Sequence, residues 1–321
     1  MNVYIVGRGA VGTYLGQQLS SIGVNVTFAP RHFADVEPIL ADVAIVATKA
    51  YHTTDAIETL RKAIRDPLNC VFVTPQNGVG NEELLAAAFG PSNVVAAALT
   101  IPVDLDSEGV AIAAKSGGLA FAPVGTSAFN WLTATFASTG MNVRVLNDWR
   151  ALKWSKLALN VIANAGCAIL DVLPERLVQS GVMFDLEIRM VREVAAVMKA
   201  AKIPAIDLPR YPTRALFAAA ALPTPLARLA LGRSFARGRG AKPPSLLLDL
   251  RGGKPETEVA YLNGAVAAAA ARARVAAPVN ATYARLVESI ARTPDLWMTY
   301  REQPHAVIAE VEGARRLDAR P

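Results

Sequence analysis

The chain opens with an apolar segment that runs directly into a glycine-rich turn, and this feature constrains the fold more than any other. Residues 3–6 (Val-Tyr-Ile-Val) precede Gly7, Gly9 and Gly12, which have the spacing GxGxxG. The first glycine permits a tight turn, the second lets the backbone approach a pyrophosphate, and the third lets a helix pack against the strand. A strand before this turn and a helix after it are the context that identifies a dinucleotide site. The alternative is a strand–helix turn that binds no ligand.

The cofactor site predicted from this turn comprises Gly7, Arg8, Gly9, Ala10, Val11 and Gly12. The end of the second predicted strand bears on which dinucleotide binds. In an NAD site, an Asp or Glu near this point binds the ribose hydroxyls. The chain instead has Phe28, Ala29, Pro30 and Arg31, and a cation here suits the 2′-phosphate of NADPH. Arg31 therefore favours NADPH over NADH, the alternative being an ordinary surface arginine.

The first part of the chain alternates β-branched segments with helical ones. Strands are predicted at residues 2–6, 25–28, 42–48, 70–74 and 94–99, with further strands within 108–122. Such alternation implies crossover connections and a mainly parallel sheet. After Asn147 the strands give way to segments rich in Ala and Leu, predicted as helices at 149–170, 183–201, 244–250, 256–274 and 279–293. The sequence thus predicts an α/β Rossmann-type domain over residues 1–147 and an all-helical domain over residues 148–321.

Composition excludes several classes of protein. With 52% apolar and 19% charged residues, the chain is typical of a globular protein. The most apolar stretch, residues 215–231, is interrupted by prolines and lacks the roughly 20 consecutive apolar residues that a membrane span needs. A net charge of +6 suits an anionic ligand, but no basic run with interleaved aromatics indicates nucleic-acid binding. The two cysteines and three histidines form no metal pattern, and no signal peptide precedes the first strand, so we expect a cytoplasmic protein without a metal.

Three polar residues recur at helical spacing in the second domain. Lys156, Asn160 and Asn164 occupy positions i, i+4 and i+8 of an apolar segment, so they would lie one above another on a helix. Asparagine is a poor choice for an exposed helix interior, and two asparagines with a lysine suit a site that holds a carbonyl and a carboxylate. The alternative is an amphipathic helix with a narrow solvated face. Glu258 begins another apolar segment, where it is either functional or only a favourable acid in a first helical turn.

Over most of the chain, these motifs resemble those of the ketopantoate reductase (2-dehydropantoate 2-reductase) family. The shared segments are the glycine turn, Thr48-Lys49-Ala50, Gln76-Asn77-Gly78, and residues 153–164, 244–249, 257–264 and 277–280. The motifs of the helical domain are more specific than the glycine turn. The resemblance implies a Rossmann domain followed by a helical domain, with the substrate between them. It also implies an enzyme of pantothenate biosynthesis that reduces the small 2-oxo acid 2-dehydropantoate to pantoate with NADPH, and it permits a homodimer.

The resemblance also implies roles for single residues. Lys156 would act as the general acid, with Glu258 as its catalytic partner. The remaining implied roles are substrate binding by Asn160, Asn164 and Ser245, and cofactor binding by Lys49, Asn77 and Arg31. These residue types fit the chemistry, because a ketone that accepts a hydride develops negative charge on its oxygen, which a nearby ammonium stabilises and protonates.

Two departures from the family pattern leave other functions open. Only 17 residues separate Arg31 from Lys49, where the family has a longer stretch with a further strand and helix. Residues 166–174 are apolar apart from Asp171, where the family often has another polar substrate contact. The alternatives are a reductase of another small 2-oxo or 3-hydroxy acid, and a non-catalytic nucleotide sensor on the same fold. The lysine and glutamate retained in the second domain argue against the sensor, since binding NADPH needs neither.

Overall fold

The computed structural model describes residues 1–30, 37–113, 116–126, 129–238 and 242–318. The chain forms two compact units, the first of Met1–Lys156 with Ile206–Tyr211 and the second of Leu157–Ala205 with Pro212–Pro321. The predicted boundary at 147/148 thus falls inside the first unit. The next residues belong to that unit because Lys153 Nζ donates a hydrogen bond to the Gln76 carbonyl, and Ser155 Oγ accepts one from the backbone N–H of Ile206.

The first unit is built on a seven-stranded sheet. The strands of the unit, in chain order, are β1 (Asn2–Val6), β2 (Asn25–Phe28), β3 (Val43–Val46), β4 (Val71–Thr74), β5 (Val94–Leu99), β6 (Val103–Leu105), β7 (Ala111–Ala113), β8 (Leu119–Pro123) and β9 (Val143–Val145). The sheet has the order β2-β1-β3-β4-β5-β8-β9, and β6 and β7 form a separate antiparallel pair. Strands β1 to β5 pair in parallel, and only β5 and β8 pair antiparallel in the main sheet. The mainly parallel sheet is therefore confirmed.

Helices cover both faces of this sheet. They are α1 (Ala10–Ser21), α2 (Thr53–Ala63), α3 (Asn81–Phe89) and α4 (Asn130–Ser138). Along β1, Val3 and Ile5 belong to an apolar cluster that includes α1, whereas Tyr4 and Val6 belong to a second cluster that includes α2. Successive strand side chains point to opposite faces, so strands covered on both faces are apolar throughout. Because the strands β1 to β5 run parallel, the loops that follow them lie at the same edge of the sheet, which is where such sheets bind ligands.

The sheet is short on the side of β2. Strand β1 lies between β2 and β3, and no strand of the described residues lies beyond β2. A doubly wound nucleotide sheet usually has one more strand there. The arrangement agrees with the short stretch between Arg31 and Lys49, although residues 31–36 lie outside the described part of the chain.

In the second unit, the regular secondary structure of the described residues is helical. Helix α5 (Trp149–Val161) begins in the first unit and ends in the second. The helices that follow are α6 (Ala165–Leu170), α7 (Pro174–Gln179), α8 (Gly181–Ala200), α9 (Thr213–Ala221), α10 (Thr224–Gly238), α11 (Ser245–Arg251), α12 (Asn263–Ala273), α13 (Pro278–Arg292), α14 (Trp297–Tyr300) and α15 (Pro304–Asp318). Short 3₁₀ turns lie at Ala50–His52, Pro67–Asn69, Pro91–Asn93, Glu258–Tyr261 and Pro294–Leu296. Among the described residues, no helix combines the length and apolar character needed to cross a membrane.

Two of the predicted helices are interrupted. The helix predicted over 149–170 breaks between α5 and α6, where Ala163 takes a left-handed conformation with φ of 46°. The helix predicted over 256–274 breaks at Leu262, whose ψ of −100° separates a 3₁₀ turn from α12. Near the end of the chain, α15 continues to Asp318. Helices α9 and α10 lie in a part of the chain for which the sequence predicted no regular structure.

Candidate functional site

The glycine turn after β1 has the geometry of a dinucleotide cradle. Gly7 has φ of +113°, and a Cβ there would lie 2.6 Å from the carbonyl carbon of Ala47 on the neighbouring strand loop. A Cβ at Gly12 would collide with the carbonyl oxygen of Gly7. A Cβ at Gly9 would meet nothing within 4 Å, so the space above this residue is open. Gly9 precedes α1 without a side-chain cap, which leaves the first helical amides facing that space, and the residues present therefore fit a pyrophosphate.

Arg8 lies across the end of β2. Its guanidinium carbon is 4.9 Å from the centre of the Phe28 ring, which is cation–π distance. Phe28 is the last residue of β2, the strand whose end faces the adenosine ribose in nucleotide-binding sheets. Arg31, which the sequence assigned to the 2′-phosphate, lies outside the described residues. Arg8 is therefore the cation that the described structure holds at this position.

A buried amide locks together the loops that follow β3 and β4. Gln76 Nε2 donates to the Thr48 carbonyl at 3.1 Å and to Thr53 Oγ1 at 2.9 Å. Lys49 follows Thr48 and precedes a 3₁₀ turn, and Asn77 follows Gln76. The two predicted cofactor residues thus leave the sheet from adjacent, cross-linked loops.

Asn81 extends this network to the next helix. Its Oδ1 accepts from Thr53 Oγ1 at 2.8 Å, and its Nδ2 donates to the Asn77 carbonyl at 3.2 Å. Asn81 is the first residue of α3 and is fully buried. The backbone of Asn77 is therefore held from both sides, by Gln76 before it and by Asn81 after it.

A lysine and a glutamate form a buried ion pair under the same loop. Lys153 Nζ lies 2.8 Å from Glu82 Oε1, and the two side chains are 1% and 0% exposed. Lys153 Nζ also donates to the Gln76 carbonyl at 2.5 Å and to the Ala97 carbonyl at 3.4 Å. Burial raises the pKa of Glu82, and the Lys153 ammonium opposes that rise. The sequence predicted a role for neither residue, because an acid in a first helical turn and a lysine near a helix start are common and indicate no buried pair.

The polar stripe predicted on one helix is divided between two. Lys156 and Asn160 lie on consecutive turns of α5, and both are partly buried. Asn164 is instead the residue before α6, so the predicted stacking of all three on one helix is wrong. Asn164 is 2% exposed, and its Nδ2 donates to the Asn160 carbonyl at 3.1 Å while its Oδ1 accepts from the Leu246 N–H at 3.2 Å.

A buried carboxylate contacts the backbone at this division. Glu187 of α8 is fully buried, and its Oε2 accepts the N–H of Ala163 at 2.7 Å. The bond therefore satisfies the amide of the residue that has the left-handed conformation. A Cβ at Gly166 would collide with Glu187, so the first turn of α6 is shaped around the carboxylate. Glu187 is 24 residues from Ala163 in the chain, and no local pattern reveals the contact.

Ser245 and Glu258 also lie in the second unit. Ser245 is the first residue of α11, immediately before the Leu246 amide that Asn164 binds, so the structure brings Asn164 and Ser245 together. Glu258 is 4% exposed and begins a 3₁₀ turn rather than the long helix that was predicted. Its burial is unlike that of an ordinary exposed acid in a first helical turn.

Two other motif residues, Asn263 and Asn280, have structural roles beside Glu193. Glu193 of α8 accepts the backbone N–H groups of Val279 and Asn280 at 3.0 Å each, which caps the start of α13. Its oxygen also accepts from Asn280 Nδ2 at 2.8 Å, and Asn263 Nδ2 donates to Asn280 Oδ1 at 3.1 Å. Burial raises the pKa of Glu193, and these donors oppose the rise. Asn263 and Asn280 therefore connect α8, α12 and α13 within the helical unit.

The cysteines are internal residues. Cys70 and Cys167 are both buried, and burial raises the pKa of the Cys70 thiol to about 12. Over the described ranges, no group of three or more His, Cys, Asp or Glu side chains is placed to hold a metal ion.

Sequence comparison identifies relatives of both units. The sequence model described as "Ketopantoate reductase PanE/ApbA" matches residues 29–125, and that described as "Ketopantoate reductase PanE/ApbA C terminal" matches residues 148–291. The 2-dehydropantoate 2-reductase of Archaeoglobus fulgidus is 25% identical over 316 residues, which cover 90% of this chain and 97% of that protein.

Solved structures share the fold. The PanE/ApbA family ketopantoate reductase from Ralstonia eutropha JMP134 superposes with a TM-score of 0.74 at 23% identity, over 93% of this chain and 100% of that one. A ternary structure of D-mandelate dehydrogenase with NADH and anilino(oxo)acetate gives a TM-score of 0.74 at 18% identity, over 92% and 99% of the two chains. At these identities the likeness establishes the fold alone.

Proposed function

Because the chain belongs to the ketopantoate reductase family, we propose that it is an enzyme that reduces 2-dehydropantoate to pantoate with NADPH. The observation that carries the proposal is the arrangement along α5. Lys153 attaches this helix to the loop that contains Asn77, and Lys156 and Asn160 occupy the next two turns. A lysine is thereby held on the same helix as a residue anchored beside the nucleotide loops.

Lys156 is the proton donor in this proposal. The cofactor supplies the hydride when it is bound. Negative charge then develops on the ketone oxygen, and an ammonium at hydrogen-bond distance stabilises that charge and delivers the proton from Nζ. Glu258 acts as the catalytic partner of the lysine, since a carboxylate near an ammonium favours its charged form. The burial of Glu258 supports a role beyond helix capping.

Two residues contact the substrate in this proposal, and a third orients them. Asn160 and Ser245, which are both partly buried, contact the 2-oxo acid directly. Asn164 orients them, because its side-chain amide binds the Asn160 carbonyl and the first turn of α11. This assignment refines the role expected for Asn164, whose two polar atoms are already engaged.

NADPH is the proposed reductant because of the charge at the end of β2. No acid occurs in residues 25–30, and the guanidinium of Arg8 lies over Phe28. A cation here attracts a 2′-phosphate, whereas an NAD site has a carboxylate for the ribose hydroxyls. Arg31 is proposed as a second cation. Lys49 and Asn77 contact the cofactor from the loops that Gln76 cross-links.

Turnover of purified protein tests the proposal. With 2-dehydropantoate, the absorbance of NADPH falls at a rate proportional to the enzyme concentration, and NADH is used less efficiently. The homodimer stays a prediction, which light scattering on the same preparation checks. Absence of any turnover with 2-dehydropantoate, alongside activity on a different acid, contradicts the proposed substrate.

A reductase of another small 2-oxo acid is the second candidate. D-mandelate dehydrogenase has the same fold and binds NADH together with anilino(oxo)acetate, a 2-oxo acid derivative. A panel of aliphatic and aromatic 2-oxo acids, each measured with NADPH and NADH, separates the candidates. An aromatic acid with the highest kcat/KM favours this second function.

A further inference from the structure

The Lys153–Glu82 ion pair has a geometry that packing alone does not require. An ammonium has three hydrogen-bond donors, and Lys153 Nζ has three acceptors: Glu82 Oε1 at 2.8 Å, the Gln76 carbonyl at 2.5 Å and the Ala97 carbonyl at 3.4 Å. These acceptors lie on α3, on the loop after β4 and on β5. One side chain therefore joins α5 to three other elements of the first unit.

A buried ion pair of this kind contributes little net stability to the folded state. Two buried charges lose their hydration, and their mutual attraction often does no more than offset that loss. Apolar side chains of similar size frequently give equal or greater stability at such positions. The burial of both side chains thus calls for another explanation, and the elements that the pair joins provide it.

The pair brackets the loop that carries Asn77. Gln76 at one end of the loop and Glu82 beyond its other end both contact Lys153, and Asn81 holds the Asn77 carbonyl in between. Lys156 is three residues after Lys153 on the same helix, where neighbouring side chains lie about 5–6 Å apart at Cβ. A shift of Lys153 therefore moves the loop and the proposed proton donor together.

We propose that Lys153 and Glu82 are positioning residues that fix the 76–82 loop and helix α5 relative to each other. This inference rests on the proposed function, because it gives the pair the task of holding Lys156 and Asn77 at a constant separation. Misplacing a reacting group by about 1 Å can cost about 100-fold in rate, so a fixed separation has a large kinetic value.

Three variants separate positioning from stability. Lys153→Met removes the ammonium and its contacts and leaves Glu82 as an unpaired buried carboxylate. The double variant Lys153→Met with Glu82→Gln removes both charges, so no charge is left unpaired. Glu82→Gln alone keeps the ammonium and its two carbonyl contacts. Glu193→Gln is the matched control, because it neutralises a glutamate that caps a helix in the second unit.

The measurements are kcat, the NADPH dissociation constant by fluorescence, the melting temperature, and hydrogen exchange of peptides covering residues 76–82. Lys153→Met lowers the melting temperature and reduces kcat by about 10- to 100-fold. The double variant regains melting temperature because both charges are gone, but its kcat stays low and its 76–82 amides exchange faster than in the wild type. Glu82→Gln weakens one of the three contacts of Lys153 and therefore lowers kcat, by less than Lys153→Met does. Glu193→Gln, the control, loses melting temperature and keeps kcat within about threefold.

A double variant that regains wild-type kcat together with its melting temperature overturns the inference, because the pair is then only structural. Unchanged hydrogen exchange of residues 76–82 in both Lys153 variants overturns it independently of any substrate. Wild-type protein that does not reduce 2-dehydropantoate overturns the proposed function instead. In that case the exchange measurement still decides whether Lys153 holds the loop.

Discussion

In the first unit, polar residues from distant parts of the chain meet at the open edge of a parallel sheet. In the second unit, they meet where helices are interrupted. The sheet brings the loops after β3 and β4 together by its topology, and Gln76 then cross-links loops that are already adjacent. The described part of the helical unit has no such edge, and a buried glutamate bonds to the backbone at the break, on the N–H of Ala163.

The two units differ in how much stability depends on a single side chain. The cross-links of the first unit are shared among several neutral side chains, so the loss of one leaves others in place. The break between α5 and α6 depends on one carboxylate that is fully buried. We therefore expect substitution of Glu187 to cost more stability than substitution of any one of these neutral side chains.

The largest expected effect tests this contrast directly. Glu187→Ala lowers the free energy of unfolding by about 3–5 kcal/mol, because it leaves a cavity and an unbonded Ala163 N–H. Gln76→Ala costs about 1–3 kcal/mol, since Thr53 and Asn81 still bond to each other. Urea unfolding followed by circular dichroism measures both. A larger loss of unfolding free energy for Gln76→Ala than for Glu187→Ala would contradict the expected difference between the two units.

A smaller effect separates packing from ligand binding within the glycine turn. Gly12→Ala costs about 1–3 kcal/mol of stability, because the new methyl collides with the Gly7 carbonyl. Gly9→Ala, the matched control, leaves stability within about 0.5 kcal/mol because its methyl enters open space. It nevertheless weakens NADPH binding in a fluorescence titration, since that space is where the pyrophosphate approaches. Equal stability losses in the two variants would contradict the assigned roles.

The next effect is on cofactor binding, and it is expected at Arg8, the cation at the end of β2. Arg8→Ala weakens NADPH binding about tenfold, the loss expected for one hydrogen bond to a charged group. NADH binding changes by less than about twofold, because NADH has no 2′-phosphate. Titration of both cofactors with Arg8→Ala and with Arg31→Ala shows how the two arginines share the task. Equal weakening of both cofactors by Arg8→Ala rules out contact with the phosphate.

The smallest effect is a pH dependence of the first unit. In Lys153→Met, Glu82 loses the ammonium that opposes the rise of its pKa, so the pKa of this buried carboxyl rises further. The native state then binds more protons than the unfolded state between the unfolded and native pKa values, and stability falls as pH rises through that interval. The stability deficit relative to the wild type should grow by about 1 kcal/mol or more from about pH 5 to about pH 8. A deficit independent of pH contradicts an unpaired carboxylate.

The two units also differed in how far the sequence predicted them. Strands β2 and β5 were predicted with their observed bounds, because short β-branched or apolar runs between turn residues carry their own signal. The mainly parallel sheet followed from the alternation of strands and helices. These features depend on local pattern, which a single sequence contains.

The helix breaks could not be predicted in the same way. Ala163 is a good helix former in an apolar segment, yet its N–H bonds to a carboxylate 24 residues away in the chain. The Lys153–Glu82 pair joins residues 71 positions apart through burial that no periodicity reveals. The site residues were named from motifs, but the division of Lys156, Asn160 and Asn164 between two helices required the tertiary contacts.

The kcat of Lys156→Ala most directly tests the central claim, that this lysine is the proton donor of a ketone reductase. The account predicts a loss of at least about 100-fold, with the NADPH dissociation constant within about twofold of the wild type. Lys199→Ala, which removes an exposed lysine at the end of α8, is the matched control and retains full kcat. Wild-type kcat in Lys156→Ala would contradict the account.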